Sequence, residues 1–255
     1  MQDNRCKKGS VDMFLKCIRA ELRKLDHSFI YPACVIIPII PAVMGTFNYL
    51  NNTEILKSQW YSLWTQFTLF YSTFFYAPLI ALYCSYIWRL EHRNNNWNVF
   101  MTAPAPVTCL YFGKLAIILF ISLITQVWVG ILYLIAGKSI GLSGFCPAEI
   151  IFWLFRGTLA AAAIGALQLL LSMLIKSFSV PIAVALIGGV AGMLIYNAGY
   201  GIYWPYSFIL MGMNSNKSSD TLSDGGLILM IMSVLIFLLF YLIAVRILKI
   251  KDIQT

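Results

Sequence analysis

The sequence predicts an all-α polytopic membrane protein. It has six transmembrane helices, an N-terminal amphipathic interfacial helix and a re-entrant segment before the last span. Three observations predict this. Of 255 residues, 60% are hydrophobic and 11% charged, whereas soluble domains carry roughly 45–50% apolar and about 25% charged residues. Six apolar runs are each long enough to cross the ~30 Å hydrocarbon layer as helices. The basic residues fall mostly on one side of those runs. A disordered chain and a secreted disulfide scaffold are excluded by the same composition.

Ser10–Asp26 reads as the amphipathic helix. Val11, Phe14, Leu15, Ile18, Leu22 and Leu25 recur at steps of three and four, while Asp12, Lys16, Arg19, Glu21, Arg23 and Lys24 cover the other faces. Such a helix lies in the interface plane or packs on a partner protein. The spans follow as Phe29–Leu50, Tyr61–Trp88, Leu115–Ala136, Ile150–Ile175, Val180–Tyr200 and Leu227–Val245. Their continuous apolarity favours helix over barrel strand. Pro32, Pro38 and Pro41 should bend the first span. No cleavable signal peptide is expected, because that first run is too long and follows 28 mostly polar residues.

With the amino terminus inside, fourteen of the 18 Lys and Arg fall on the inner side, and only Lys57, Lys138 and Lys217 fall outside. Arg156 lies within span four. Both termini should therefore be cytoplasmic, and the basic charge lies along the membrane face, which argues against a nucleic-acid partner. Cys146 is the single cysteine expected outside; there is no C-x-x-C pair, and His27 and His92 are the only histidines, so the cysteines read as structural and no metal site is expected.

The connection Arg89–Pro106 is the most informative polar stretch. Its Asn94-Asn95-Asn96 run can cap a short helix that Pro104 must end. Trp97, Phe100 and Met101 share one face of that helix. That face is buried either by a partner protein or by the headgroup layer. A Glu leaving span two, a Trp six residues on, then a Pro and a Gly-Lys opening span three (Glu91, Trp97, Pro104, Gly113 and Lys114) resemble the six-span permease subunits of type-2 ABC exporters. The Asn run stands where many relatives carry a glycine.

The resemblance covers essentially the whole chain and implies a single exporter-type transmembrane domain over residues 1–255. Its parts would be a cytoplasmic N-terminus (1–28), spans one and two (29–88), a coupling segment (89–114), spans three to five (115–200), an outer re-entrant segment (201–226), and span six with a cytoplasmic tail (227–255). It implies that Glu91, Trp97, Phe100, Met101 and Pro104 couple the chain to a separate ABC ATPase, present in two copies, which binds the ATP and magnesium. A second related permease, or another copy of this chain, would complete the pathway. The small size and the stretch Tyr203-Trp204-Pro205-Tyr206-Ser207 resemble the lantibiotic-immunity permeases of Gram-positive bacteria. That implies a lanthionine-containing peptide as substrate and the bacterial cytoplasmic membrane as location. A transporter of another lipid-like or drug-like substrate, and a non-transporting sensor subunit, are the other readings.

Tyr203, Trp204, Tyr206 and Arg156 are the candidate outer-gate residues. The rings also suit an interfacial aromatic belt, but Gly199, Gly201 and Pro205 interrupt the stretch and favour a re-entrant segment. Arg156 is expected either at a subunit interface or snorkelling outward beside Glu149, seven residues earlier on the same helical face. Gln66, Gln126 and Gln168 should bond between helices, and Ala160–Ala163, Gly165 and Ala166 should allow close helix packing. No catalytic residues are expected. Leu132 and Thr108 stand where a phosphate-binding loop ending in either Gly-Lys pair would need glycine, and no H-E-x-x-H occurs.

Overall fold

A computed structural model describes residues 2–25, 28–92, 105–215 and 226–252. Among them every regular element is helical, and six are long and apolar enough to cross a membrane: Ile30–Asn51, Gln59–His92, Val107–Ser139, Glu149–Leu174, Ser179–Asn197 and Gly226–Ile250. They are called spans one to six below. Each matches an expected span, with ends shifted by a few residues in most cases. Spans two and three are longer than expected and extend into the Arg89–Lys114 connection. Helix continues to His92 and resumes at Val107, so Lys114 lies inside a helix rather than in a loop.

The preceding helix α1 is Gln2–Lys24. Span one divides into α2 (Ile30–Ile36) and α3 (Ile39–Asn51). Pro38 has no N–H for the carbonyl four residues back, so the helix stops and restarts there. Pro32 and Pro41 stand in the first turns of α2 and α3, where a missing N–H leaves no bond unmade. Span two is α4 (Gln59–Phe70), a π-helical turn at Tyr71–Phe75, and α5 (Tyr76–His92). Spans three and four are α6 (Val107–Ser139) and α7 (Glu149–Leu174). Span five is α8 (Ser179–Asn197); a single 3₁₀ turn (Gly201–Tyr203) leads to the short α9 (Ser207–Gly212), and span six lies in α10 (Gly226–Asp252).

Spans two and four form the centre. Span two is the most buried and span six the least, with 67% and 17% of their apolar windows enclosed. Ala160, Ala161, Ala163 and Ala166 are fully buried, which is how α7 approaches α5 closely. The glutamines bond between elements as expected. Gln66 accepts from Asn48 Nδ2 at 2.6 Å, Gln126 Nε2 reaches the Met213 sulfur at 3.8 Å, and Gln168 Nε2 donates to the Tyr206 hydroxyl at 2.6 Å.

α1 packs along the start of α6 and differs from the expected stripe. Cys17, Glu21 and Leu25 make its buried line, at steps of four, and Leu15 is exposed. Glu21 was expected on the polar face. It turns inward because a buried cation on α6 needs a counter-charge.

Candidate functional site

At the amino-terminal end of the bundle, four charged side chains converge from three elements. Lys114 Nζ on α6 is fully enclosed and donates to Glu21 Oε2 on α1 at 2.8 Å and to Glu91 Oε1 on α5 at 2.7 Å. Lys24 Nζ bridges the same carboxylates at 2.7 and 2.6 Å from the exposed side. Two cations and two anions cancel, and multiple short hydrogen bonds offset the desolvation that would make a lone buried lysine costly. The Lys114 ammonium also lies 5.3 Å from the Trp88 ring centroid. Burial works against the Lys24 charge, but hydrogen bonds to Glu21 and Glu91 and their charges outweigh it, raising its pKa above the usual lysine value.

The cluster bridges the two helix ends that flank residues 93–104. On the α5 side, His92 Nε2 pairs with the Ser172 carbonyl at 3.1 Å, and Arg89 lies over the Phe178 ring. On the α6 side, Cys109 Sγ sits 3.4 Å from Cys17 Sγ on α1. Burial and this contact push the Cys17 thiol up to about 11. α1 passes close to Gly113, where an added Cβ would make ordinary van der Waals contact with Cys17 at 3.5 Å.

At the opposite end, the chain leaving α8 turns back into the bundle. Gly199, at φ +89°, takes the left-handed position that ends α8, and the Tyr200 and Gly199 N–H groups bond the Ile195 and Tyr196 carbonyls. The Trp204 indole then donates to the Gly188 carbonyl at 2.9 Å. Gly188 is nine residues before the end of α8, so the indole reaches a level roughly 13 Å along that helix at 1.5 Å per residue. Three glycines of α8 admit it. A Cβ at Gly188 would strike the Tyr206 ring, one at Gly192 the Tyr206–Ser207 backbone, and one at Gly189 the Thr73 carbonyl in the π-helical turn. The Ser207 hydroxyl bonds back to the Gly201 and Trp204 carbonyls, and Trp64 Nε1 donates to the Met213 carbonyl at 2.7 Å. The backbone of this re-entrant segment is thus covered by protein, the condition for irregular chain at membrane depth.

The family model described as ABC-2 family transporter protein matches residues 17–192, well over half of the chain. The chain belongs to the ABC-2 transporter family. It is a permease subunit, the multi-pass membrane component that associates with a separate ABC ATPase. No curated protein and no solved structure gives a match. All four members of the charged cluster lie within the matched range of this ABC-2 chain, whereas the re-entrant segment lies beyond it.

Of the expected coupling residues, Glu91 is in the buried cluster; Trp97, Phe100, Met101 and Pro104 lie outside the described residues of the ABC-2 permease. The four expected gate residues do not form one surface. Tyr203 is 76% exposed, Trp204 is half-buried, and Tyr206 and Arg156 are buried. Arg156 does not snorkel, and Glu149 does not hold it. Glu149 accepts from the Tyr61 hydroxyl at 3.2 Å, while Arg156 Nη2 turns inward to the Met211 carbonyl at 3.4 Å. The missing Cβ of Gly212 lets α9 pack against the Arg156–Gly157 backbone, which puts the Met211 carbonyl beside this residue. The sequence did not reveal Glu21 and Lys24 as partners of Lys114 and Glu91, or the span-five glycines as the floor of the re-entrant segment. A Lys at the start of an apolar run and the Gly-Gly-x-x-Gly spacing were the available signals.

Proposed function

We propose that this permease works in an ATP-driven exporter that removes a lantibiotic or similar antimicrobial peptide from the bacterial membrane and so confers immunity or resistance. Two ATPase subunits bind the ATP and magnesium, and a second permease, related or identical, completes the pathway. The chain lies in the cytoplasmic membrane with both termini inside. The helix carrying Trp97, Phe100 and Met101 docks into the ATPase and ends at Pro104.

The single observation that carries the coupling reading is the Glu21–Lys24–Glu91–Lys114 cluster. A displacement of residues 93–104 is delivered to α5 and α6 at its two ends. The cluster ties those ends to each other and to α1, so the three move as one piece. Residues Trp204-Pro205-Tyr206-Ser207, in the re-entrant segment, support the peptide substrate through the resemblance already described.

Co-purification tests the coupling. Trp97→Ala with Phe100→Ala should insert normally yet lose the ATPase, because truncating a buried aromatic anchor commonly costs more than ~2 kcal/mol of binding. Peptide resistance in cells carrying the full complex should fall with it, and Lys217→Glu should change neither. An intact complex with the double variant at normal expression would remove the coupling assignment. Normal peptide sensitivity in cells with an intact complex would remove the substrate.

A further inference from the structure

Arg156 is a buried cation with no carboxylate partner among the described residues. It is 3% exposed, its Nε has no hydrogen-bond partner, and the Met211 carbonyl is a long, neutral acceptor. Among the described residues no carboxylate lies within salt-bridge distance of it. Its guanidinium instead lies against Gly226, the first residue of the 27-residue helix α10; a Cβ there would come within 3.0 Å of Nη1 and 3.1 Å of Cζ. The first N–H groups of a helix have no intrahelical acceptor and carry its positive dipole end. Two positive centres thus face each other in a poorly solvated place, an arrangement that an oxyanion between them would stabilise.

We propose that Arg156 and the amino-terminal turn of α10 form a site for a phosphate oxyanion, delivered by a membrane phospholipid headgroup. The surroundings favour a lipid over a free anion. Arg156 is seven residues into α7, roughly 10 Å below its end at 1.5 Å per residue, the depth of lipid headgroups and the first acyl carbons. The neighbouring Ile151, Phe152 and Phe155 are exposed, and the Phe152 ring lies 5.8 Å from the guanidinium. That apolar surface suits the acyl chains of a lipid whose phosphate turns inward. The proposal goes beyond the exporter reading and does not depend on the ATPase or the peptide.

Native mass spectrometry and thermal unfolding of the full chain in detergent test it. The probes are dioleoylphosphatidylglycerol, dioleoylglycerol with the same chains and no phosphate, and sodium phosphate. The phospholipid should stay bound and raise the unfolding midpoint, the diacylglycerol should do neither, and free phosphate should act only at far higher concentration. Arg156→Gln should weaken phospholipid binding about tenfold or more, the loss of a charge-assisted hydrogen bond. Gly226→Ala is the milder variant should Arg156→Gln fail to fold, and it should weaken binding in the same direction by displacing the guanidinium. Asp220→Asn with Asp224→Asn should leave lipid binding intact. Equal binding of phospholipid and diacylglycerol, or unchanged phospholipid binding in both the Arg156 and Gly226 variants, would overturn the proposal. So would a clear gain of phospholipid binding in the aspartate variant, which would assign the oxyanion to the chain itself.

Discussion

Lys114 is enclosed away from solvent, where its two carboxylate partners arrive from two other helices and a second lysine balances them. Removing one member of such a buried set leaves an uncompensated charge and costs about 3–5 kcal/mol. Lys114→Met should therefore lower the unfolding midpoint in detergent sharply, and adding Glu91→Gln should recover much of the loss by restoring neutrality. A single variant as stable as the parent would show that the cluster adds no cohesion. Lys24 supplies a pH signature. Its pKa is raised in the folded state, so its contribution is full below the usual lysine value and lost as pH rises through the folded value. The stability difference between the parent and Lys24→Met should hold steady through neutral pH and shrink only in the alkaline range, as measured by paired unfolding curves.

Helix contacts in this bundle are set by where side chains are missing as much as by where they are present. Gly188, Gly189 and Gly192 make one side of α8 a seat for the re-entrant segment and the π-helical turn. Gly189→Ala would place a Cβ 2.4 Å from the Thr73 carbonyl. Backbone must shift to relieve that, at about 1–3 kcal/mol, and a lower unfolding midpoint is the expected result. An unchanged midpoint would mean that α8 sits further from the π-helical turn. The docking of α1 is open to a covalent test, since the Cys17 and Cys109 sulfurs are 3.4 Å apart. A mild thiol oxidant should cross-link them in the purified chain, and Cys17→Ser should abolish the product. No cross-link in the parent would place α1 elsewhere, as a free interfacial helix.

For the whole molecule the open quantity is its direction in the membrane, which the fourteen-to-three basic asymmetry predicts as both termini inside. In a chain carrying Cys146→Ser, a cysteine replacing Asp252 should resist an impermeant thiol reagent in intact cells, and one replacing Lys217 should react; the reverse pattern would invert the topology. The number and approximate limits of the spans were legible in the sequence, because a bilayer demands long unbroken apolar helices and little else has that composition. So was an irregularity in the first span, a local consequence of prolines lacking an N–H, though the sequence named three candidates and the structure placed the break at Pro38. The Gly199, Gly201 and Pro205 interruptions foretold the re-entrant segment, but not that α8 glycines would seat it or that Tyr206 would reach Gln168. Only the tertiary structure decided the charged cluster. A sequence shows that Lys114 begins an apolar run, but its partners lie 23 and 93 residues away, on helices whose relative rotation no local pattern records. The same holds for Arg156, where reach and a nearby carboxylate argued for snorkelling. In the fold that guanidinium lies between the Met211 carbonyl and Gly226 at the start of the last span, neither of which a local pattern could have named.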